Sequence, residues 1–478
     1  MVFSYHPSHG PRNLIQFQEG LSFPQFNALY DYEEKCEAAL VGAGLAGLMA
    51  ARELKRGGFS VRLLEARDGV GGRVWSQPLG DSAWIDFGAQ WIAPGQRRIQ
   101  ALVKEFGLAT AQSHSMGTAL RIESGDPVPS RGFSPSTWLA KLDELQILLR
   151  RERQARQLAV PSAQTEARRQ ALDALPVATW LEAKAWTQEG RDAVGLTVEE
   201  GVCASVQEVS CYEVIQQLAN IGGLAALARA EHTFLPGGAM AIARRLASGL
   251  SAELELATPV LAVHQEAGAV RLTTRQGQLR ARRVILALPP QLLASIALDA
   301  ELARRAQWYR GAIVKGRVVK TVIVYGEAWW RRAGLSGQVV DPEGLIEHLA
   351  DGSNPAGSPG ILIAFATASR AERLAALEPG PRQALILEHI RQSLGEVPAA
   401  PLVFHSIDWM EDPWAQGGYA SRLGLGCQEA QQPVLAEPIG RVHFAGTETA
   451  SQWRSYMEGA LESGERAALE VLSCLALP

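Results

Sequence analysis

Residues 37–67, EAALVGAGLAGLMAARELKRGGFSVRLLEAR, decide the fold class of this 478-residue chain. A short apolar strand precedes the glycines, an amphipathic helix follows them, and a second apolar strand ends at Glu65. In a unit of this kind Gly42 makes the tight turn, Gly44 lets the backbone approach a pyrophosphate, and Gly47 lets the helix close on the strand. The stretch predicts the first half of a dinucleotide-binding fold.

The start of the predicted helix favours a bound phosphate. Its free N–H groups and the positive end of its dipole attract negative charge. Glu65 lies 18 residues past Gly47, where an acid accepts hydrogen bonds from an adenosine ribose. Because NAD and FAD both carry an ADP moiety, this half of the site does not separate them. The residues predicted to line it are Gly42, Ala43, Gly44, Leu45, Ala46, Gly47, Glu65, Ala66 and Arg67.

The sequence after Glu65 departs from the pattern of strand–helix units expected in an NAD dehydrogenase. Gly71 and Gly72 predict a second close-approach turn, and Arg73 adds a cation for phosphate charge. Residues 84–94, WIDFGAQWIAP, then predict a strand that turns at Gly88. A long, different region follows in place of further strand–helix units. The residues of this stretch predicted to contact the cofactor are Gly71, Gly72, Arg73, Gly88, Ala89, Gln90 and Trp91.

Composition limits the remaining choices. The chain is 47% hydrophobic with a net charge of -4, which gives no global basic character for nucleic acid or an anionic membrane. Its five scattered cysteines include no C-x-x-C pair, so neither a disulfide framework nor a metal site is predicted. Residues 1–36 form an aromatic-rich arm that we expect to pack on the body or on a partner subunit. We expect a cytoplasmic protein, and a homodimer remains an open possibility.

Two long motifs carry a family resemblance. Residues 41–73 resemble the FAD-binding N-terminus of the flavin-containing amine oxidases, and 440–468, GRVHFAGTETASQWRSYMEGALESGERAA, resembles the C-terminal flavin segment of monoamine oxidases. The similarity extends in order over nearly all of 37–474 and is typical of the superfamily of monoamine, putrescine and polyamine oxidases. Its intermediate motifs are QEVS (207–210), LPGG (235–238), VILALPP (284–290), VVKTVIVYGEAWW (318–330) and DWMEDPWAQGGY (408–419).

The resemblance implies an α/β, two-domain flavoprotein. Such enzymes build a Rossmann-like FAD domain from separated segments and insert a substrate domain of mixed sheet and helices. We therefore predict the FAD-binding domain at 37–110, 235–309 and 412–474, and the substrate domain at 111–234 and 310–411. The β-like segments of 260–287 and the helical periodicity of 138–157 fit this division.

The resemblance also implies four features around the flavin ring. Tyr419 and Tyr456 match two tyrosines that form an aromatic cage, although a core role is open for either. Lys320, the one charge in an apolar strand, matches a lysine bridged by water to flavin N5, or it is a lysine at a strand end. Trp409 matches a tryptophan beside the ring, and packing alone is equally allowed. Further predicted cofactor contacts are Val260, Gly446, Glu448 and Met457.

The implied chemistry is oxidation of a small primary or secondary amine. Desolvation in the cage favours the neutral amine, its α-hydrogen passes to the flavin, and the imine hydrolyses to an aldehyde or ketone plus ammonia or an amine. Dioxygen is reduced to hydrogen peroxide. Gly418 stands where mitochondrial monoamine oxidases carry the flavin-linking cysteine, so non-covalent FAD is predicted.

Three other activities stay open at this point. A di- or polyamine oxidase needs an acid at the far end of the cavity, for which Glu199, Glu200 and Glu208 are candidates. A dehydrogenase that passes electrons to another acceptor has the same signature. An L-amino-acid oxidase usually places an arginine near Trp91, which this chain lacks. A flavoprotein that only binds a partner would need added interaction modules, and we expect no room for them in this chain beyond the short aromatic arm.

Overall fold

The structure is a computed structural model of the chain. It describes residues 33–80, 83–130, 134–135, 137–160, 162–427 and 435–476. The predicted aromatic arm lies outside the described residues except for its last four positions, which begin the first strand.

The described residues form both strands and helices. The strands are β1 (Glu33–Val41), β2 (Val61–Leu64), β3 (Ser76–Leu79), β4 (Ala83–Asp86), β5 (Trp91–Ile92), β6 (Ala111–Gln112), β7 (Thr118–Glu123), β8 (Asp126–Ser130), β9 (Thr233–Phe234), β10 (Leu254–Glu255), β11 (Ala262–Glu266), β12 (Ala269–Thr273), β13 (Gln278–Leu286), β14 (Ala297–Leu298), β15 (Ile313–Val314), β16 (Val318–Tyr325), β17 (Leu335–Val340), β18 (His348–Asp351), β19 (Gly360–Thr367), β20 (Val403–Asp408), β21 (Arg422–Leu423) and β22 (Val442–Phe444). The α-helices are α1 (Leu45–Arg56), α2 (Arg97–Glu105), α3 (Trp138–Leu158), α4 (Ala163–Asp173), α5 (Val177–Lys184), α6 (Gln188–Val202), α7 (Cys211–Ile221), α8 (Leu224–Leu227), α9 (Met240–Ser248), α10 (Ala300–Ala312), α11 (Trp329–Arg332), α12 (Ala368–Ala375), α13 (Pro379–Leu394) and α14 (Met457–Leu475).

The first large sheet contains the glycine-rich unit. Its strand order is β10-β2-β1-β13-β12-β11-β14, and β22 also pairs with β13. Strands β10, β2, β1, β13 and β22 are parallel to one another, whereas β11 and β12 form an antiparallel meander on the edge of β13. Helices α1 and α14 pack together over one face of this sheet. The residues Ala38–Val41 are all buried, as expected for a central parallel strand covered on both faces.

The second large sheet carries the lysine-bearing strand. Its order is β20-β16-β19-β18-β17-β7-β8, and its described pairings are antiparallel except for β17 with β7. Every residue of β16 and β19 is buried. Helices α3 to α8 form a separate helical layer, and residues from α3 to α7 share one apolar cluster. This combination of mixed sheet and helices matches the predicted fold class.

Two short sheets join the regions. Strands β5 and β6 both pair with β9, and β15 pairs with β21. The first large sheet draws its strands from three separated stretches, 33–64, 254–298 and 442–444. The exact domain boundaries stay a prediction.

Candidate functional site

A cavity opens at the carboxyl ends of β1, β2 and β13. In open sheets of this type ligands bind at that edge, outside the carboxyl ends of the strands. The structure brings most of the predicted site residues to this one cavity: Gly42, Gly44, Leu45, Ala46, Glu65, Ala66, Arg67, Gly71, Gly72, Arg73, Ala89, Val260, Tyr419, Gly446, Tyr456 and Met457.

The three glycines of the first turn differ in what surrounds them. Gly42 has a φ of +101°, and a Cβ there would lie 2.6 Å from the Ala287 carbonyl oxygen. A Cβ on Gly47 would lie 1.9 Å from the carbonyl oxygen of Gly42, so Gly47 closes the helix on the turn. A Cβ on Gly44 would have the Gly71 carbonyl oxygen, at 3.9 Å, as its nearest neighbour. Its missing side chain therefore leaves space on the cavity side, where a phosphate group would approach.

Glu65 lies at the end of β2 and is 5% exposed. Its carboxylate accepts hydrogen bonds from the backbone N–H of Ala43, at 2.5 Å, and of Arg67, at 2.9 Å. Burial raises the pKa of Glu65, and these hydrogen bonds oppose the rise. Helix α1 begins after Gly44 with no side-chain cap. An acid for ribose hydroxyls and an uncapped helix start for phosphate fit the ADP half of FAD.

The two arginines of the site are paired with acids. Arg73 contacts Glu448 at 2.6 and 3.0 Å and also donates to the carbonyl oxygen of Gly418. Arg67 contacts Asp412 at 2.6 and 2.9 Å. Much of each cationic charge is therefore balanced within the protein. Glu448, predicted as a cofactor contact, does not line the cavity and reaches it through Arg73.

The two predicted cage tyrosines line the same cavity. The Tyr419 hydroxyl donates to the carbonyl oxygen of Glu200 at 2.6 Å. Tyr456 directly precedes α14, and its ring lies edge-on to Trp453 with centroids 5.1 Å apart and planes at 88°. Burial raises the pKa of Tyr456 to about 12 and that of Tyr419 well above 10. Both rings are therefore neutral phenols at ordinary pH.

Lys320 lies behind the turn at Gly88, on β16. Its Nζ donates to the carbonyl oxygen of Gly88 at 2.9 Å and to Gln90 Oε1 at 3.3 Å. The same nitrogen lies 5.6 Å from the ring centroid of Trp91 and 5.7 Å from that of Phe365. Burial lowers the pKa of Lys320 to about 8. Lys320, Gln90 and Trp91 thus form one group of contacts beside the cavity.

Asp86 is a charged neighbour of Lys320 that the sequence analysis missed. It accepts hydrogen bonds from Ser76 Oγ at 2.5 Å and from the backbone N–H of Ala239 at 2.9 Å. Burial raises its pKa, and its charge partly offsets the lowering at Lys320, as does that of Glu231. The signal was available, since Asp86 is the one acid in the apolar stretch WIDFGAQ.

Some predicted residues lie next to the cavity without lining it. Trp409 is buried, donates from Nε1 to the Phe87 carbonyl oxygen at 3.3 Å, and contacts the Trp75 ring edge-on. Ala43, Gly47, Gly88, Gln90, Trp91, Trp409, Glu448 and Lys320 are absent from the lining. Lining residues that the prediction omitted include Thr258, Leu288, Pro289, Leu292, Trp414, Thr447, Ser455 and Ala460. Several of these stand in motifs quoted above, and spacing alone did not show which positions face inward.

The three acids considered for a second amine all have cationic partners. Glu200 contacts His348 Nδ1 at 2.8 Å. Glu199 pairs with Arg370 at 2.8 Å, and Glu208 pairs with Arg317. Burial disfavours the charged form of His348, but Glu200 and two other acids raise its pKa to about 9. Glu200 is the nearest of the three to the cage, because its backbone holds the Tyr419 hydroxyl.

Among the described residues, no group of histidine, cysteine and acidic side chains could hold a metal ion. No helix within the described ranges is long and apolar enough to cross a membrane.

Comparisons with known proteins agree with this architecture. The family model for flavin containing amine oxidoreductase matches residues 45–472. Amine oxidase [flavin-containing] B of Bos taurus is 29% identical over 92% of this chain and 87% of its own. L-amino acid dehydrogenase of Synechocystis sp. is 27% identical over 94% of this chain and 97% of its own. The solved structure of wild-type putrescine oxidase bound to putrescine has a TM-score of 0.86 at 28% identity and covers 92% of this chain and 100% of its own.

The family pattern spans almost the whole described chain, and its motifs converge on one cavity whose walls fit a dinucleotide. The chain therefore belongs to the flavin-containing amine oxidoreductases and is an enzyme that oxidises amines with a flavin.

Proposed function

We propose that the protein is a non-covalent FAD enzyme that oxidises a small primary or secondary amine and reduces dioxygen to hydrogen peroxide. The observation that carries this proposal is that Tyr419 and Tyr456 line the same cavity as Gly44 and Glu65. A cofactor placed by the glycine turn would thus have the two aromatic rings at its far end. The proposed domain division, with FAD held mainly by 37–110, 235–309 and 412–474, follows the same placement.

The residues of the cavity would hold FAD at three points. The start of α1 at Gly44 and the turn at Gly71 and Gly72 would meet the pyrophosphate, and Glu65 would accept from the ribose hydroxyls. The uncapped start of α14 at Met457 would face the ring end, where its N–H groups favour negative charge. When bound, the flavin supplies the two-electron oxidation of the amine and passes the electrons to dioxygen.

The protein's own contribution is to desolvate and orient the amine. Two partly buried aromatic rings would exclude water around a bound amine and present electron-rich faces to nitrogen. Removal from water lowers the pKa of the bound amine, so the neutral form, which holds its lone pair free, is favoured. Lys320 is held in place by Gly88 and Gln90. With a pKa near 8, it can hold or release a proton beside the cage within the physiological range.

Non-covalent attachment is supported at Gly418. A Cβ at this position would lie 2.3 Å from Val318 Cγ1, so a cysteine before Tyr419 would require the Val318 side chain or its strand to move. Cys427 is eight residues beyond Tyr419. We expect acid precipitation of the purified protein to leave the yellow flavin in the supernatant, whereas colour in the pellet would contradict non-covalent binding.

The pairing of the three acids considered above favours a monoamine over a diamine. Recognition of a second ammonium group needs a carboxylate that is available to it, and Glu199, Glu200 and Glu208 each have a cationic partner within the protein. The similarity to L-amino acid dehydrogenase supports, as a second candidate, transfer of electrons to an acceptor other than dioxygen.

The five cysteines, all free in the structure, support a cytoplasmic location.

The deciding experiment is anaerobic bleaching of the flavin's visible absorbance by a panel of monoamines, diamines, polyamines and amino acids. We expect a small monoamine to bleach it fastest and air to restore the colour with one peroxide per turnover. Bleaching only by compounds that are not amines would refute the proposal. Slow reoxidation in air with fast reoxidation by a quinone would select the dehydrogenase.

A further inference from the structure

An ion pair that is removed from solvent links the chain segments next to the two tyrosines. Glu213, in the first turn of α7, contacts Arg422, on β21, and each side chain is 1% exposed. Arg422 follows Tyr419 by three residues. Because two charges lose their hydration on burial, such a pair adds little stability compared with apolar residues of similar volume. A specific geometric role is a better reason for its presence.

Both members of the pair reach the segment that carries Tyr456. The Arg422 Nη2 donates to Ser455 Oγ at 2.9 Å. Arg454 Nη1 lies 3.5 Å from the second carboxylate oxygen of Glu213. Glu213 is itself fixed, since its backbone N–H donates to Ser210 Oγ at the start of α7. One buried pair thus joins α7, the strand after Tyr419 and the residue before Tyr456.

The segment that these contacts hold has an unusual backbone. Trp453 and Ser455 have φ values of +52° and +74°, in the left-handed region that residues with a side chain rarely occupy. Such conformations persist where the surroundings fix them, and they concentrate at functional sites. Thr447 Oγ1 also accepts from the Ser455 N–H at 2.8 Å, and the Trp453 N–H donates to the Asn220 carbonyl oxygen at 3.2 Å.

We propose that Arg422 and Glu213 are positioning residues for the aromatic cage. The pair holds Ser455 in its left-handed conformation and thereby sets the direction in which the Tyr456 ring faces Tyr419. This inference rests on the proposed function, in which the two rings bind the amine. Loss of the pair lets the segment 453–456 relax toward ordinary backbone angles, which changes the spacing of the cage without removing either ring.

The test uses two variants of the full protein with FAD bound. Arg422→Met alone would remove the nearer of the two arginines at the buried Glu213, so the double variant Arg422→Met/Glu213→Gln removes both charges of the pair together. Ser455→Ala keeps the pair and removes the hydroxyl that accepts from Arg422, while the Arg454–Glu213 contact stays. We expect both variants to retain FAD and to raise KM for the best amine about 10- to 100-fold, because cage geometry sets amine positioning. Amide hydrogen exchange in 450–458 should also become faster.

A matched control is available in the second large sheet. Arg331 and Asp351 form another ion pair, with contacts of 2.7 and 3.0 Å, in which Asp351 is fully buried and Arg331 is partly buried. The double variant Arg331→Met/Asp351→Asn removes equivalent charges at residues that have no contact with the cage segment. We expect this control to lower Tm while KM and the exchange rate of 450–458 stay at their natural values.

The outcomes separate this inference from the proposed function. Natural KM and natural exchange in 450–458, in both the double variant and Ser455→Ala, would overturn the positioning role. If no amine bleaches the natural protein, the proposed function fails, and hydrogen exchange still decides whether the pair holds the segment. A rise in KM that appears equally in the Arg331 control would also overturn the inference, because it would mark a general loss of stability.

Discussion

At the scale of single residues, Lys320 is a cation in a strand whose residues are all buried. We expect Lys320→Met to slow flavin reduction or reoxidation by orders of magnitude while FAD stays bound. An ionisation near pH 8 in the natural protein's kcat/KM profile should disappear in the variant, since burial lowers the pKa of Lys320 to about 8. Wild-type rates across the pH range would mean that the lysine has only a packing role.

The same shift predicts a dependence of stability on pH. The unfolded chain holds the proton up to a pKa near 10.4, whereas the folded protein releases it near 8. Between these values the unfolded state binds more protons, so stability rises with pH. The free energy of unfolding of the natural protein, relative to Lys320→Met, should increase by roughly 3 kcal/mol from pH 8 to pH 10.5. Denaturant unfolding of both proteins measures it, and a constant difference would contradict the prediction.

Individual residues also show what the sequence could and could not predict. Tyr419, Tyr456 and Lys320 came from the family resemblance, and Lys320 lies beside the cavity without lining it. The glycine turn and Glu65 were predictable because they belong to a local motif. The partners of these residues were not: Arg73 meets Glu448 and Arg422 meets Glu213, across 375 and 209 positions of sequence. Local spacing carries no information on such pairings, because they depend on how separated segments pack.

At the scale of elements, two glycines at the start of helix α1 allow the effect of a substitution on cofactor binding to be distinguished from its effect on folding. A Cβ on Gly44 has open space, whereas one on Gly47 would collide with the carbonyl oxygen of Gly42. We expect Gly44→Ala to keep the Tm of the apoprotein and to weaken FAD binding roughly 10- to 100-fold, a loss of about 1.4 to 2.8 kcal/mol. Gly47→Ala should instead destabilise the fold by about 1 to 3 kcal/mol.

Flavin titration and thermal unfolding of the two apoproteins measure these effects. Equal losses of stability in both variants would mean that the Gly44 position is not open to the cofactor.

Helix α14 depends on small residues where it crosses α1. A Cβ on Gly464 would lie 2.3 Å from the Ala46 carbonyl oxygen, whereas Gly311 in α10 has nothing within 4 Å. Gly464→Ala should lower the free energy of unfolding by about 1 to 3 kcal/mol, and Gly311→Ala should raise it by about 0.5 to 1 kcal/mol. Denaturant unfolding checks both. An unchanged stability for Gly464→Ala would show that the two helices can separate without cost.

Element types were largely predictable because periodicity is local. The strand Val61–Leu64 and the long helix near 138–157 appear as expected, the latter as Trp138–Leu158. The order of strands within the sheets was not predictable, because pairings such as β1 with β13 join residues more than 200 positions apart.

At the scale of the whole molecule, the cavity walls come from three distant stretches, 41–89, 258–292 and 414–460. A ligand that contacts all three binds only the folded state. We therefore expect FAD at 100 times its dissociation constant to stabilise the apoprotein by about 2.7 kcal/mol. Differential scanning fluorimetry over a series of FAD concentrations measures the shift. A Tm independent of FAD would mean that the cofactor does not link these stretches.

The position of β13 has a consequence for biosynthesis. This strand lies between β1 and β22, so the nucleotide sheet combines the beginning of the chain with residues 442–444. A ribosome adds about 5 to 20 residues per second, so a nascent chain that has made β1 and β2 waits roughly 20 to 80 s for the last wall of the cavity. Flavin loading must then wait until the stretch around 414–460 has been made. Until that point the edge of β13 at Val284–Leu286 lacks its β22 partner and is a natural target for chaperones.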